Sequence, residues 1–131
     1  MGRIPILQGS ACSLWWAAGS SEQVRAKDYF DDLKDTERAK FEVLFERMAR
    51  DGTIKNTELF RTEAGGNISC FKRGQHRLAC FREGRDLMLV HGFRKKSDKD
   101  KRLKREIQIA ERIRTEYLEQ KSISTNTQRN S

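Results

Sequence analysis

Three short runs of strand-forming residues, separated by two turns, constrain the fold more than any other part of this sequence. The runs occupy residues 67–73, 76–82 and 86–93. The turns between them are Gly74-Gln75 and Glu83-Gly84-Arg85, and connections this short join only antiparallel neighbours. The sequence therefore predicts an antiparallel meander, built from local connections.

Amphipathic helices are predicted on both sides of the meander. One begins near Ser21, and a second runs from about Thr36 to Gly52, where glycine supplies a C-terminal stop. Their short link makes them an antiparallel hairpin. A last helix begins at Ser97, because Ser97 and Asp100 have the spacing of a capping box. Helices and meander together predict an α+β fold.

The two ends of the chain are predicted to lie outside this domain. Residues 4–18 contain short apolar groups typical of one or two strands, without a pattern that defines their bounds. A loop is predicted over 61–66. Residues 121–131 are polar and lack periodicity, which predicts a disordered tail. We therefore expect an N-terminal segment over 1–19 and a domain over 20–120, followed by the tail.

Cysteine usage and hydropathy narrow the protein class. Cys12, Cys70 and Cys80 are odd in number and show no C-x-x-C spacing, which argues against a disulfide framework and a zinc site. We predict no cofactor or metal, and a cytoplasmic location. No stretch approaches the roughly 20 apolar residues of a membrane helix, so no membrane partner is expected. A chain of 131 residues with 36% hydrophobic content predicts one domain.

The positive charge is concentrated in one block. Residues 72–105 carry 13 basic and 4 acidic residues, whereas 1–71 carry 10 and 11, and 106–131 carry four of each. A block this one-sided repels itself and is best explained by a bound polyanion, although a solvated basic face is the alternative. RNA or DNA is therefore the predicted partner.

Strand pairing places part of this charge in one row. A two-residue type II′ turn at Gly74-Gln75 sets Lys72 directly opposite Arg77, and like charges in that position cost stability. A three-residue second turn would set Arg77 opposite His91. The row of Lys72, Arg77 and His91 is interpreted as a phosphate site, because an RNA backbone would relieve the repulsion and the charges would stabilise a pentavalent phosphorane.

Residues around this row extend the predicted site. Basic side chains directly after the third strand lie near the N-terminus of the last helix, where backbone amides favour anions. Phe81 and Phe93 offer stacking surfaces for bases, although Phe81 suits the core equally well. The opposite face, predicted to pack against helices, carries Phe71, Leu78 and Cys80. The predicted RNA-binding residues are Arg73, Phe93, Arg94, Lys95, Lys96 and Lys99.

An ordered set of motifs runs from Asn67 to Tyr117. In chain order they are Phe71-Lys72, Arg77 with Phe81 four residues on, His91-Gly92-Phe93-Arg94-Lys95-Lys96, and a helix carrying Glu106-Ile107 and Ala110. In this order the segment resembles the HigB-like, phage-derived branch of the RelE/ParE toxin superfamily. The Gly-Phe-x-Lys-Lys element after an apolar strand is the most specific part, and the resemblance covers roughly residues 20–120.

The resemblance implies a fold and a function. The fold is a compact RelE-like α+β domain with an N-terminal helical hairpin, an antiparallel three- to four-stranded sheet and a C-terminal helix. The implied function is the toxin of a toxin-antitoxin module, a ribosome-dependent and metal-independent mRNA endonuclease that inhibits translation. Its implied partners are mRNA, the ribosome and a cognate antitoxin of the helix-turn-helix type. In the implied reaction a 2′-hydroxyl attacks the neighbouring phosphate, which leaves a cyclic phosphate and a free 5′-hydroxyl.

The same resemblance implies catalytic roles for Lys72, Arg77 and His91. Arg77 matches the catalytic arginine and would stabilise the transition state, Lys72 would sit on the same phosphate, and His91 or a deprotonated lysine would act as general base. The two tyrosines, Tyr29 and Tyr117, are predicted on core faces. Two alternatives stay open: a ParE-like toxin that poisons DNA gyrase, and a non-catalytic nucleic-acid-binding relative.

Overall fold

A computed structural model describes residues 2–96 and 101–130, with side chains in the last helix as far as Ser122. The predicted capping pair Ser97 and Asp100 lies outside the described residues. Within those residues, no helix is both long and apolar enough to span a bilayer. The elements in chain order are β1 (Arg3–Gln8), β2 (Ser13–Ala17), α1 (Arg25–Asp31), α2 (Asp35–Asp51), β3 (Phe60–Thr62), β4 (Ser69–Arg73), β5 (His76–Glu83), β6 (Asp86–Arg94) and α3 (Leu103–Asn130).

The six described strands form one mixed sheet in the order β1-β2-β6-β5-β4-β3. β2 pairs with β6 in parallel, and the other neighbours are antiparallel. The prediction of a helical hairpin followed by an antiparallel three- to four-stranded sheet is therefore wrong, although the fold is α+β overall. The helices α1 and α2 instead lie within the long connection between β2 and its parallel neighbour β6. β3 lies partly in the predicted loop over 61–66.

The first hairpin of the meander has the predicted register. Lys72 pairs with Arg77 across β4 and β5. Gly74 has a φ of 57°, and no described residue other than glycine has a positive φ. A positive φ at the first central position alone fits the predicted type II′ turn. The two like charges are therefore held opposite each other by the turn chemistry.

The second hairpin differs from the predicted register. Glu83 pairs with Asp86, so the turn has two residues instead of three, and an irregularity further along shifts the register again. As a result Arg77 lies opposite Phe93, and the predicted pairing of Arg77 with His91 is wrong. The row of opposed side chains therefore contains Lys72 on β4 and Arg77 on β5, and His91 on β6 is not part of it.

The sheet separates two apolar layers. One face packs against α1 and α2, and its buried residues include the predicted set Phe71, Leu78 and Cys80. The other face packs against α3 and buries Phe81, which is 2% exposed and belongs to the core. The predicted domain boundaries stay predictions, although the backbone of residues 121–130 belongs to α3.

Gly92 lies where α1 crosses β6 at close range. A Cβ atom built at Gly92 would lie 2.5 Å from the Cβ of Tyr29 and 2.6 Å from its Cγ. Atoms of ordinary side chains do not approach this closely. A glycine is therefore required here so that the helix can pack onto the strand.

We expect Gly92→Ala to destabilise the fold by roughly 1–3 kcal/mol, because the added methyl group must displace α1 from the sheet. Urea titration followed by circular dichroism measures the change. In a Tyr29→Ala background the same substitution should cost much less, because the space is then open. An equal cost in both backgrounds would contradict the close approach.

Candidate active site

A pocket of about 420 Å³ collects residues from several strands at the end of the sheet. We call it the basic pocket. Four of its side chains are basic, one is a carboxylate and one is a leucine. They come from β3 and the residue after it, from β4 and β5, from the segment after β6 and from the start of α3. They are Arg61, Glu63, Lys72, Arg77, Lys95 and Leu103. The sheet therefore brings residues 30 or more positions apart in the sequence into one cationic cavity.

Lys72 is positioned by a backbone acceptor in the loop before β3. Its Nζ donates a hydrogen bond to the carbonyl of Thr57 at 3.1 Å. The pKa of Lys72 is lowered, first by partial burial and then by the positive charges of Arg77, Arg61 and Lys95. Both causes disfavour the ammonium form. The amine of Lys72 is therefore easier to deprotonate than that of an exposed lysine.

Arg77 is fixed at the turn that begins its strand. One of its guanidinium nitrogens, Nη1, donates to the carbonyl of Gly74 at 2.7 Å and to that of His76 at 3.0 Å. The backbone N–H of Lys95 donates to the carbonyl of Gln75 at 2.7 Å, which continues the β5–β6 pairing past the end of β6. These bonds hold Arg77 and Lys95 at the same end of the sheet.

A smaller pocket of about 180 Å³ adjoins the basic pocket and shares Lys95 and Leu103 with it. It contains four of the predicted RNA-binding residues: Phe93, Arg94, Lys95 and Lys96. Phe93 is only 6% exposed, so little of its ring is available for stacking. Of the other two, Lys99 lies outside the described residues, and Arg73 lines neither pocket.

His91 is buried instead of facing the basic pocket. It is 7% exposed, its ring stacks on Phe93, and its Nε2 lies 2.5 Å from Oε2 of Glu106 on α3. Burial lowers the pKa of His91, although the Glu106 carboxylate acts in the opposite direction. A neutral imidazole then donates Nε2–H to Glu106, and its Nδ1 has no hydrogen-bond partner among the described residues. This arrangement ties α3 to the sheet.

Neither tyrosine lines the basic pocket. Tyr29 is half-buried and its hydroxyl lies 2.6 Å from Nδ1 of His76. Burial raises the pKa of Tyr29. Tyr117 is 8% exposed and contacts Phe81 edge to face. The structure therefore places both rings in packing positions, as the sequence predicts.

The four cations that line the basic pocket suit an anionic ligand. Cys70 does not supply a nucleophilic thiolate, because burial raises the pKa of its thiol to about 12. Among the described residues, no group of three or more His, Cys, Asp or Glu side chains could hold a metal ion. Fixed cations around one cavity bind an anion and stabilise additional negative charge on it.

Two pocket residues, Arg61 and Glu63, were missed by the sequence analysis. Arg61 lies in β3, a strand of only three residues paired with β4, and Glu63 follows it directly. The backbone of Glu63 is held by hydrogen bonds to Ile68 and Gly66. The available signal is a short strand before the Gly65-Gly66 turn, which would have formed a further hairpin with the first predicted strand.

Comparison with protein families gives a match to most of the chain. A family model described as "Phage derived protein Gp49-like (DUF891)" matches residues 28–115, which are 88 of the 131 residues. The matched range includes every residue of the basic pocket. No curated protein and no solved structure matches the chain.

Proposed function

Because the chain belongs to the phage-derived Gp49-like family, within the RelE/ParE-like toxin superfamily, we propose that it is the toxin of a toxin-antitoxin module. Its proposed activity is endonucleolytic cleavage of mRNA on the ribosome. The observation that carries the proposal is the basic pocket, where Lys72 and Arg77 stand opposite each other and face the same cavity. Such a pair is costly to a fold without an anionic ligand.

In the proposed reaction the scissile phosphate lies in the basic pocket. The 2′-hydroxyl of the preceding ribose gives its proton to the base and its oxygen attacks phosphorus, the bond to the 5′-oxygen breaks, and the 5′-oxygen takes up a proton from solvent. The transition state carries more negative charge than the substrate on its equatorial oxygens. Arg77, held at the turn by two backbone carbonyls, is a preorganised donor for this charge, and Lys95 supplies a second cation at the same cavity.

Lys72 is the proposed proton acceptor. Either His91 or a deprotonated lysine is predicted in this role from the sequence, and His91 is buried and bonded to Glu106. Lys72 faces the cavity, and its pKa is lowered by burial and by the neighbouring cations. A base whose pKa is closer to the working pH transfers protons more effectively.

The pH dependence of cleavage tests this role. Because the pKa of Lys72 is lowered, cleavage should rise with pH and level off below the ordinary lysine range. Lys72→Arg keeps the positive charge but cannot deprotonate, so we expect RNA binding within about twofold of wild type and cleavage slowed by about 10² or more. Single-turnover kinetics measured across pH give the RNA affinity and the cleavage rate of each protein. An arginine variant that cleaves at the wild-type rate would leave Lys72 only an electrostatic role.

The function itself is tested by inducing the protein in translating cells and mapping transcript ends. We expect growth arrest and new 5′-hydroxyl ends within translated messages. A neighbouring reading frame for a small helix-turn-helix protein would encode the proposed antitoxin, and its co-expression should restore growth. Arrest with intact messages and altered DNA supercoiling would instead support the gyrase alternative.

A further inference from the structure

A second cationic cavity lies next to the basic pocket. This groove, which we call the β3 groove, has a volume of about 660 Å³ and is lined by ten residues. Its basic side chains are Lys55, Arg61 and Arg82, and four further lining residues, including Thr57 and Thr62, carry hydroxyl groups. None of the ten described lining residues is acidic. The charged side chains that line the groove are therefore all positive, whereas those of the basic pocket include the carboxylate of Glu63.

The groove and the basic pocket share a wall. Arg61 lines both cavities. Thr57 lines the groove, and its carbonyl accepts the hydrogen bond from Nζ of Lys72 in the basic pocket. The two cavities lie on opposite faces of the sheet, because Phe60 and Leu87 of the groove belong to the α1/α2 layer, whereas the basic pocket contains Leu103 of α3. An anionic chain bound in both therefore passes around the β3 edge at Arg61.

The groove also has an apolar floor. Ile54 and Leu87 are buried, and Phe60 is half-buried with its ring centroid 4.9 Å from that of Phe71. Arg82 is oriented along one side, because its Nη2 donates to the carbonyl of Gly52 at 3.2 Å. An aromatic and aliphatic floor beneath cations and hydroxyl groups suits a nucleobase and its phosphate together.

We propose that the β3 groove binds a nucleotide of single-stranded RNA next to the scissile phosphate. The proposal deepens the proposed function and rests on it for the identity of the strand. Lys55 and Arg82 contact the phosphate of this nucleotide, Arg61 contacts the linkage between the two cavities, and the base lies on Phe60. The groove thereby sets the direction in which mRNA crosses the sheet edge.

Binding of uncleavable 2′-O-methyl RNA tests the proposal. A trinucleotide fills the basic pocket alone, whereas a strand of about nine nucleotides reaches both cavities. We expect Lys55→Glu to weaken binding of the longer strand about tenfold and to lower the slope of log K against log salt by at least about 0.7. The trinucleotide should bind this variant nearly as well as it binds wild type.

The matched control is Lys40→Glu, the same charge change at an exposed position of α2 that lines neither cavity. It should weaken both RNAs equally and by less than about twofold. Equal effects of the two variants on the longer strand would overturn the proposal. A Lys55→Glu variant that binds RNA normally but binds the antitoxin poorly would also overturn the proposal, because the groove would then be a protein-binding site. Cleavage of mRNA by the wild-type protein is measured separately. If no cleavage is found, the proposed endonuclease activity is refuted, whereas RNA binding in the groove is still decided by the binding measurements.

Discussion

Replacing both Lys72 and Arg77 with alanine should abolish growth arrest while the protein stays folded. Each side chain faces the basic pocket, and removal of one preorganised donor from a transition state typically slows a reaction by about 10² to 10³. We expect at least this loss for Arg77→Ala alone. Because the two residues act on one phosphate, their effects should not simply add.

The same substitutions should leave stability unchanged or slightly higher. Lys72 and Arg77 are directly opposed on neighbouring strands, so truncation of either removes a like-charge contact worth a few tenths of a kcal/mol. This gain offsets the lost hydrogen bonds of Lys72 and Arg77, because water replaces them at the exposed carbonyls of Thr57 and Gly74. Denaturant titration checks this, and growth after induction checks toxicity. Matched controls are Lys40→Ala and Arg47→Ala, which remove the same charges from exposed positions on α2. A fully toxic double mutant would exclude the pair from catalysis.

The first hairpin was predictable because its determinants are local. Gly74 takes the left-handed φ of a type II′ turn, and a two-residue turn determines every pair along β4 and β5. The opposed cations therefore follow from seven consecutive residues. The end of α2 was predictable for the same reason, because Gly52 takes the left-handed conformation there.

The remaining topology depends on contacts that a local pattern does not record. β2 pairs with β6 in parallel, across more than 70 residues. The residue types at Leu14 and Trp16 do not indicate which strand is their partner. The register at His91 depends on an irregularity near Ala79 and Cys80. Cys80 pairs with Leu89 but Ala79 pairs with His91, so an additional residue enters β6 there. Strict alternation of faces fails at such a bulge.

The basic pocket was partly predictable, because local connections position three of its residues. Lys72 and Arg77 are neighbours within one hairpin, and Lys95 follows the next strand directly, so the sequence places all three at one end of the sheet. Arg61 reaches the pocket through a three-residue strand, which is too short for a pattern of alternation. Glu106 was recognised only as part of a helix motif, although it pairs with His91. Helix-to-sheet contacts of this kind require the tertiary arrangement.

The N-terminal strands lie outside the family match, yet the structure makes them part of the core. The match begins at residue 28, whereas Trp16 on β2 is 6% exposed. Its ring lies 5.2 Å from that of Phe30 and 6.0 Å from that of Phe45. It therefore joins β2 to both helices of the crossover. β2 also covers one edge of β6, the strand that leads to Lys95.

We expect Trp16→Ala to destabilise the fold by about 3–5 kcal/mol, because truncating a buried tryptophan leaves a large cavity. Urea titration measures the loss, and Val43→Ala, at a side chain that is 62% exposed on α2, should cost less than about 0.5 kcal/mol. A small loss at Trp16 would show that β1 and β2 pack on an independently stable domain. A large loss would show that residues 28–115 require the preceding strands, because β2 supplies the parallel neighbour of β6 and the Trp16 ring that contacts Phe30 on α1 and Phe45 on α2.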